Sequence, residues 1–461
     1  MTEALLDGAL SAEAAPGSSA PVDALLAEGK LDEAETLLGQ ILAADPGNHA
    51  AVHQQALLLL RRGRPRMALA QFFRAIELSP DTALYRRNIC EILRAQGRLD
   101  EALAQAERAV ELEPLNAGGH YNKGIIHYDR LEMDQAIACD RRALELDPLS
   151  PGAHFELCEA LLLTGQFEEG WREYEWRWKL PNVPPLLPPH ERPHWDGKPL
   201  GPDKTLLLIG DQGFGDTIQF ARFIPAAAKL CPNIVVAASK EVQPIINQMP
   251  GIKYCEHRFD HLPAFEAYCP LTGLPRLLGT DTSNIPFPNG YLKADPAKIV
   301  QWRKTLDGLV PPGYRRIGLA WAGRPTHGND ANRSLSLEKL KPLFDLEDTV
   351  FISLQRGPAQ SQIGQYYGIA PVITLQEEFP DVMAIMAGLD RLVSVDTSLA
   401  HLAAALGRPV SILLPYAPDW RWLLNRDDTP WYSSVTLHRQ DRPGDWDSAM
   451  AKLMALLKPA T

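Results

Sequence analysis

The feature that most constrains this chain is a repeat of 34 residues in its first half. Four prolines recur at that interval, each after a Leu- and Ala-rich stretch: Pro46, Pro80, Pro114 and Pro148. A column of small residues precedes them: Ala34, Ala68, Ala102 and Ala136, continued by Gly170. A third column holds glycine with one exception: Gly29, Gly63, Gly97, Leu131 and Gly165. Three columns in register predict a stack of similar units.

The residue types in these columns have physical reasons. Small side chains let the two helices of a hairpin approach, glycine permits the turn between them, and proline stops the second helix. The pattern resembles the helix-turn-helix unit of tetratricopeptide repeats; we expect about five units over residues 21–180, after a flexible tail over residues 1–20. The stack would present a groove for a segment of a partner protein. The alternative is a spacer or a dimerisation arm.

Charge is unevenly distributed along the 461 residues, whose net charge is −11. Residues 1–180 contain 29 acidic and 18 basic side chains, whereas residues 181–461 contain 28 of each. An acidic array without a Lys/Arg stripe argues against nucleic acid and anionic membranes, so a protein is the expected partner. The N-terminus lacks a basic segment, and no apolar run approaches about 18 residues. We therefore expect no transmembrane segment and a cytoplasmic location.

Beyond residue 204 the pattern changes to alternating strands and helices. KTLLLIG, GDQGFGD and TIQFARFIPAAAKL predict a strand, a glycine-rich loop and a helix, and a second such series begins at RRIGLAWAG. This alternation is typical of doubly wound parallel sheets. After a proline-rich connector over residues 181–195, we expect two Rossmann-like domains, residues 196–295 and 296–461, that face a cleft. The aromatic stretch GWREYEWRW should fasten the repeats to the next domain.

The segment RLVSVDTSLAHLAAALG predicts a strand, a short turn and a helix. Backbone amides and the dipole at the start of that helix favour an anionic group, and a diphosphate fits best. Thr397 and Ser398, after Asp396, would add hydroxyl donors. The alternative is plain N-capping by Asp396 or Thr397. His401, one turn further on, is a further candidate for the nucleotide-sugar site, although by itself it is more typical of a packed side chain than of a ligand.

Together, VDTSLAHLAAALGRP and IGDQGFGDTIQFARFIP resemble the heptosyltransferase-like, family 9-like glycosyltransferases of the two-Rossmann GT-B type. The continuation PYAPDWRWLLNRDDTPWYSS resembles bacterial proteins that join tetratricopeptide repeats to such a domain, with a layout similar to that of protein O-GlcNAc transferase. The resemblance implies an α-helical solenoid followed by an α/β GT-B fold. It also implies transfer of a sugar from a nucleotide-sugar donor to a Ser or Thr hydroxyl of a recruited protein, with flagellin as a candidate. Transfer to a glycolipid or lipopolysaccharide core is one alternative, and a non-catalytic scaffold that binds a nucleotide is another.

The resemblance also implies roles for residues of the first strand-to-helix loop. Asp216, which follows Gly215, corresponds to the proposed base that takes the proton of the acceptor hydroxyl. Gly213 belongs to the same nucleotide-sugar loop, and Asp211 is the second candidate for the base. The alternative for Asp216 is capping of the helix that begins at Thr217, which would weaken it as a base.

The basic residue that neutralises the leaving diphosphate corresponds to Arg333, with Arg324 as a substitute. Further polar side chains are expected along the same loop: Asn332, Ser334 and His327. Gln355, at the end of the strand TVFISLQ, is placed to contact the base or ribose of the nucleotide. The alternative for Gln355 is a surface position without a ligand.

One Asp-x-Asp sequence, Asp445-Trp446-Asp447, matches the element with which many glycosyltransferases hold a divalent cation. It precedes an amphipathic terminal helix, so Asp447 fits an N-cap or a first-turn acid better. We therefore expect neither a metal nor another cofactor. The loop PDWRWLLNRDDTPWY surrounds Arg421 and Arg426 with aromatic side chains. It is expected to hold sugar, base or phosphate, or to clamp the terminal helix.

Overall fold

The computed structural model describes residues 15–181, 183–188, 191–365, 369–371 and 378–458. Two compact units emerge from the residue contacts. The repeat unit extends to Ala160 and includes Lys179–Asn182, and the α/β unit comprises Leu161–Trp178 and the chain from Val183 onward. The architecture is the predicted one, helical repeats followed by an α/β region whose two parallel sheets are consistent with GT-B. None of the helices in the described ranges is long and apolar enough to span a bilayer.

Consecutive helices pack in pairs through the repeat unit: α1 (Ala20–Ala27), α2 (Leu31–Ala44), α3 (His49–Arg61), α4 (Pro65–Leu78), α5 (Ala83–Ala95), α6 (Leu99–Leu112), α7 (Ala117–Asp129), α8 (Met133–Leu146) and α9 (Pro151–Leu163). Helices α2, α4, α6 and α8 each end two residues before a proline of the repeat column. The proline therefore stops the second helix of each unit, as its missing N–H and fixed φ require. The tetratricopeptide pattern is confirmed.

The turn within each helix pair needs a residue with left-handed backbone geometry. Its φ is +72° at Gly29, +68° at Gly63 and +72° at Gly97. Leu131 takes the same place between α7 and α8 with a φ of +59°, although an L side chain is disfavoured there. The packing of the two helices thus imposes the turn even where glycine is missing.

The described part of the predicted flexible tail packs on the repeats. Ala15 is buried, and the backbone of Ser19 exchanges two hydrogen bonds with the side-chain amide of Gln54, at 3.3 and 3.0 Å. Residues 15–20 are therefore packed rather than loose. The rest of the predicted tail, residues 1–14, lies outside the described residues.

The α/β unit opens with a short aromatic helix and a four-stranded sheet. Its elements are α10 (Phe167–Tyr174), β1 (Leu206–Ile209), α11 (Phe214–Ala221), α12 (Ile224–Ala228), β2 (Ile234–Ala237), α13 (Gln243–Ile246), β3 (Ile252–Glu256), β4 (Ala267–Pro270) and α14 (Leu274–Leu277). All strands run parallel in the order β3-β2-β1-β4. Every residue of β1 is buried because helices and loops cover both faces.

A six-stranded sheet follows, built from α15 (Pro296–Leu309), β5 (Arg315–Ala320), α16 (Asp330–Arg333), β6 (Thr349–Ser353), β7 (Ile369–Pro371), α17 (Phe379–Ala387), β8 (Arg391–Val395), α18 (Ser398–Ala405), β9 (Val410–Leu414), β10 (Val435–Arg439) and α19 (Trp446–Leu457). Its parallel order is β10-β9-β8-β5-β6-β7. Leu319 and Val393 of this sheet share a buried core with Leu453 of α19. The order is that of doubly wound nucleotide-binding folds, which bind ligands where the winding reverses, at the carboxyl ends of the central strands.

Helix α10, which the 34-residue pattern assigns to the repeats, packs within the α/β unit. The indole N–H of Trp171 donates to the carbonyl of Thr280 at 3.0 Å, and its ring lies edge-on to Trp420 with centroids 5.3 Å apart. Phe167 lies 6.0 Å from Trp431. Helix α10 packs there because burial of its large aromatic rings stabilises it more than stacking of small residues on the repeats would.

Candidate active site

The winding of the first sheet reverses between β1 and β4, and the loops after these strands meet there. Asp211, which is buried, accepts hydrogen bonds from the backbone N–H of Thr272, at 3.2 Å, and from its hydroxyl. Burial raises the pKa of Asp211, and the nearby Arg177 cation opposes that shift. This carboxylate ties the two loops together.

Asp216 lies in the first turn of α11, and both of its carboxylate oxygens are engaged. Oδ2 accepts the backbone N–H of Gly213 at 2.9 Å, which closes the start of the helix. Oδ1 accepts Nη2 of Arg421 at 2.5 Å. The carboxyl group therefore does cap the helix, and it is also fixed by a cation from the second half of the α/β unit.

Arg421 is buried and makes three further contacts. Nη1 donates to both carboxylate oxygens of Asp419 at 2.9 Å, Nε donates to Oε1 of Gln219 at 2.7 Å, and the guanidinium stacks 4.2 Å from the ring centroid of Trp420. Burial opposes the charged form, but Asp419 and then Asp216 hold the pKa of Arg421 well above its ordinary value. Its donors are thus committed to protein groups of α11 and of its own loop rather than to the terminal helix, and the two roles expected for this loop stay predictions.

The start of α18 lies at the reversal point of the second sheet and directly beside α11. Thr397 is the N-cap residue in extended conformation, and its side chain makes no capping hydrogen bond. A Cβ atom on Gly215 would lie 3.5 Å from Cα of Ser398 and 3.1 Å from Cδ2 of His401. Glycine thus allows close approach of two helix N-termini, one carrying Asp216 and the other without a side-chain cap from Thr397.

Asp396 and His401 form a buried layer beneath this point. Burial, followed by the carboxylate of Asp419, raises the pKa of Asp396 to about 6. Burial, followed by Arg421, lowers the pKa of His401 to about 3, so its imidazole is neutral. The ring of His401 stacks on Trp422, and its Nδ1 lies 3.1 Å from the hydroxyl of Tyr432. His401 occupies a packed position, 5% exposed.

Arg333 lies over the backbone after β5. A Cβ atom on Gly323 would lie 2.6 Å from Nη2 of Arg333, so the guanidinium occupies the space that a side chain would take. Its Nε lies 3.5 Å from Oδ1 of Asp330. Burial raises the pKa of Asp396 and lowers that of His327; the charge of Arg333 opposes the first shift and adds to the second, which places Arg333 within electrostatic reach of the α18 terminus.

The other residues predicted for this loop differ in exposure. Arg324 is exposed, with its guanidinium 5.8 Å from the ring of Phe214, the first residue of α11. Asn332 is exposed and donates weakly to the carbonyl of Ala417 at 3.4 Å. The exposed His327 has its pKa lowered by desolvation and by Arg333. Arg324 is therefore the more accessible of the two predicted arginines.

Gln355 is buried rather than exposed. Its Oε1 accepts the backbone N–H groups of Trp321 and Ala322 at 2.8 and 2.9 Å, and its Nε2 donates to the carbonyls of Ala322 and Arg356. The amide thus holds the turn after β5 in place. Its role as a nucleotide ligand stays a prediction.

The Asp-x-Asp sequence starts the terminal helix. Asp445 is the N-cap residue of α19 and accepts the backbone N–H of Ser448 at 3.2 Å. Asp447 is exposed in the first turn and pairs with Lys339 at 3.0 Å. Within the described residues, no three His, Cys, Asp or Glu side chains group as metal ligands would.

Comparison with known proteins gives matches in both units. Residues 22–83, 53–120 and 91–151 match the tetratricopeptide repeat family. Residues 358–422 match glycosyltransferase family 9 (heptosyltransferase). Within this chain, a segment that matches tetratricopeptide repeats thus precedes a segment that matches family 9 glycosyltransferases. The second match contains the α18 terminus, Asp419 and Arg421, whereas Asp216 and Arg333 lie outside it.

A curated relative of this chain is Protein FlbA of Caulobacter vibrioides (strain ATCC 19089 / CIP 103742 / CB 15), 25% identical over 331 residues. The match covers 66% of the chain but 54% of FlbA, so the chain spans about half of that relative's length. The repeats are also similar to solved structures. MamA is 19% identical, with a TM-score of 0.31 over 34% of this chain and 92% of MamA. PilW is 19% identical, with a TM-score of 0.34 over 40% of this chain and 81% of PilW. These scores are too low to carry an argument.

The structure adds residues that sequence reasoning missed. Asp419 and Gln219 fix Arg421, and Tyr174 contacts the first loop, where its hydroxyl accepts Nε2 of Gln212 at 2.8 Å. Asp419 stands two positions from Arg421 in PDWRW, and that spacing was a usable signal. Nothing in the sequence around Tyr174 indicates a contact with a loop 38 residues further on.

Proposed function

We propose that this glycosyltransferase moves a sugar from a nucleotide-sugar donor to a Ser or Thr hydroxyl of a protein acceptor that the repeats recruit. One observation carries the proposal: the carboxylate of Asp216, held by Arg421, lies beside the uncapped start of α18. A base and an anion site side by side are what transfer from a nucleoside diphosphate needs. Flagellin is a candidate acceptor on the strength of the resemblance to repeat-transferase fusions.

In the proposed step, the acceptor oxygen bonds to the anomeric carbon while the bond from that carbon to the donor phosphate breaks. The nucleoside diphosphate leaves with the bonding electron pair, and the acceptor proton passes to Asp216. The two hydrogen bonds to Asp216 fix the direction in which its remaining lone pairs point.

The departing charge would be neutralised by the amides of α18 and by the guanidinium groups of Arg324 and Arg333. Arg324 is exposed at the start of α11 and Arg333 is held over Gly323. These groups supply positive charge without a metal ion, so we propose a metal-independent reaction. Gly213 and Gly215 would let the backbone of the loop lie close to the donor, and Gln355 and Asn332 would shape the opposite side.

The test is a panel of nucleotide sugars, including nucleoside monophosphate donors, with the full-length protein and a cell lysate as acceptor source. Nucleotide release and mass gain on an acceptor protein are measured. We expect Asp216→Asn to lower release at least about 100-fold while donor binding is retained, because the proton acceptor is lost and Asp419 still pairs with Arg421. Asp447→Asn is the matched control, since its carboxylate is exposed and pairs only on the surface. Equal turnover in Asp216→Asn would contradict the assigned base, and absence of turnover with every donor would favour the scaffold alternative.

The acceptor class needs a separate experiment. Removal of residues 1–160 takes away the repeat unit but keeps α10 with the α/β unit. We expect the shortened chain to bind donor and to lose modification of a protein. Continued transfer to a glycolipid would instead favour the lipid-type alternative.

A further inference from the structure

We propose that Tyr174 and Arg177, at the end of the repeat region, are positioning residues for transfer because they hold the loop that presents Asp216. The inference rests on the proposed function, since it assumes that Asp216 is the base. Both residues lie in the segment Leu161–Trp178, which belongs to the α/β unit. The loop comprises residues 211–216, from the end of β1 to the first turn of α11.

Tyr174 acts on the most constrained residue of the loop. Gln212 has a φ of +61°, a left-handed conformation that costs about 1–3 kcal/mol for a residue other than glycine. Such a conformation persists when neighbouring groups fix it, and Nε2 of Gln212 donates to the hydroxyl of Tyr174 at 2.8 Å. Tyr174 is 3% exposed, and burial raises the pKa of its phenol, so the hydroxyl stays protonated. A neutral, buried hydroxyl thus anchors a strained loop residue.

Arg177 supports Asp211, the residue that precedes Gln212 in the loop. Its Nη2 donates to the hydroxyl of Thr272 at 2.8 Å, and that hydroxyl donates in turn to the carboxylate of Asp211. The same Nη2 lies 4.0 Å from Oδ2 of Asp211. Arg177 is 4% exposed and is itself fixed by Tyr174, because Nη1 donates to its carbonyl at 2.7 Å and the guanidinium stacks on its ring. The two residues form one support under the loop.

The same aromatic helix reaches the other support of Asp216. The rings of Trp171 and Tyr174 lie edge-on to Trp420, with centroids 5.3 and 6.2 Å away. Trp420 is the platform on which Arg421 stacks, and Arg421 is the ion-pair partner of Asp216. One short helix therefore borders both contacts that determine where the Asp216 carboxylate lies.

Catalysis by a fixed carboxylate is sensitive to its placement, because an error of about 1 Å can cost 100-fold in rate. Loss of the support should therefore reduce kcat more than donor binding. A purely structural role would instead lower thermal stability and leave the kcat of the folded enzyme unchanged.

The experiment measures kcat and donor KM of the full chain, with the donor that the panel identifies, and Tm in parallel. Tyr174→Phe removes one hydroxyl and keeps the aromatic packing. We expect kcat to fall about tenfold, the value of one hydrogen bond of about 1.4 kcal/mol, with donor KM and Tm nearly unchanged. Tyr85→Phe is the matched control, since its buried hydroxyl contacts only His49 in the repeat unit. That control should keep the kcat of the parent chain.

A double-mutant cycle shows whether Tyr174 acts through Gln212. Gln212→Ala should reduce kcat by a similar factor, and the double variant should be no slower than either single variant. Arg177→Met should reduce kcat further; if it does not fold, the Tyr174 and Gln212 variants still decide. Parent-level kcat in Tyr174→Phe, or additive losses in the double variant, would overturn the inference. Lack of turnover in the parent chain would instead refute the proposed function.

Discussion

The internal contacts of the repeat unit and those of the α/β unit differ greatly in the sequence separation of the residues that they join. In the repeat unit, Nδ2 of Asn122 donates to the carbonyl of Arg87, 35 residues away, which is close to one period. In the α/β unit, the ion pair between Arg421 and Asp216 joins residues 205 positions apart. Contacts of the first kind repeat along the chain, so their loss is local. Contacts of the second kind are single, so the site depends on each of them.

The largest effect expected from this difference is that of Arg421→Met. Removal of the guanidinium leaves the half-buried carboxylates of Asp216 and Asp419 without their cation, which should lower the free energy of unfolding by about 3 kcal/mol. Transfer should also fall by about 100-fold, because the proposed base loses its orientation. Chemical denaturation and turnover assays measure the two effects. Arg98→Gln is the matched control, because Arg98 pairs with Glu101 on an exposed turn of one helix, and its Tm should not change.

The next effect depends on pH. The pKa of Asp396 is raised to about 6 in the folded chain, against about 3.9 in an unfolded one. The unfolded chain therefore releases this proton first, and stability falls as pH rises from about 4 to about 6. Asp396→Asn should remove this loss. The difference in free energy of unfolding between the variant and the parent chain should therefore be about 3 kcal/mol more favourable at pH 8 than at pH 4. Denaturation at both pH values checks it, and equal changes at the two would contradict the buried acid.

The smallest effect belongs to the repeats. Leu131 adopts a φ of +59° where the other units have glycine. Leu131→Gly should stabilise the chain by about 1 kcal/mol, because glycine relieves the left-handed strain at some cost in chain entropy. Thermal unfolding of the variant measures this gain. The reverse change, Gly97→Leu, should destabilise the chain by a similar amount, and no change in either variant would show that the turn is not strained.

The repeat unit could be predicted almost completely from the sequence because its helices, turns and stops recur with the period. The loops after β1 and β8 were also predictable, since a glycine-rich turn follows the first apolar run and an Asp-Thr-Ser turn follows the second, and such turns mark the carboxyl ends of parallel strands. The partners of Arg421 and the buried position of Gln355 could not be predicted from the sequence. Both depend on how distant loops pack, and a single sequence carries no signal of that packing. Helix α10 shows the same limit, since its period assigns it to the repeats while its aromatic side chains pack elsewhere.

The position of α10 has a consequence for chimeric proteins in which one repeat array replaces another. A graft that replaces the whole repeat array up to the proline-rich connector would discard the indole and phenol rings bordering the catalytic loop. A junction before Leu161, inside α9, would keep those rings with the α/β unit to which they belong. Under the proposed function, exchange of repeat arrays between related proteins should therefore succeed only when α10 stays with its own α/β unit.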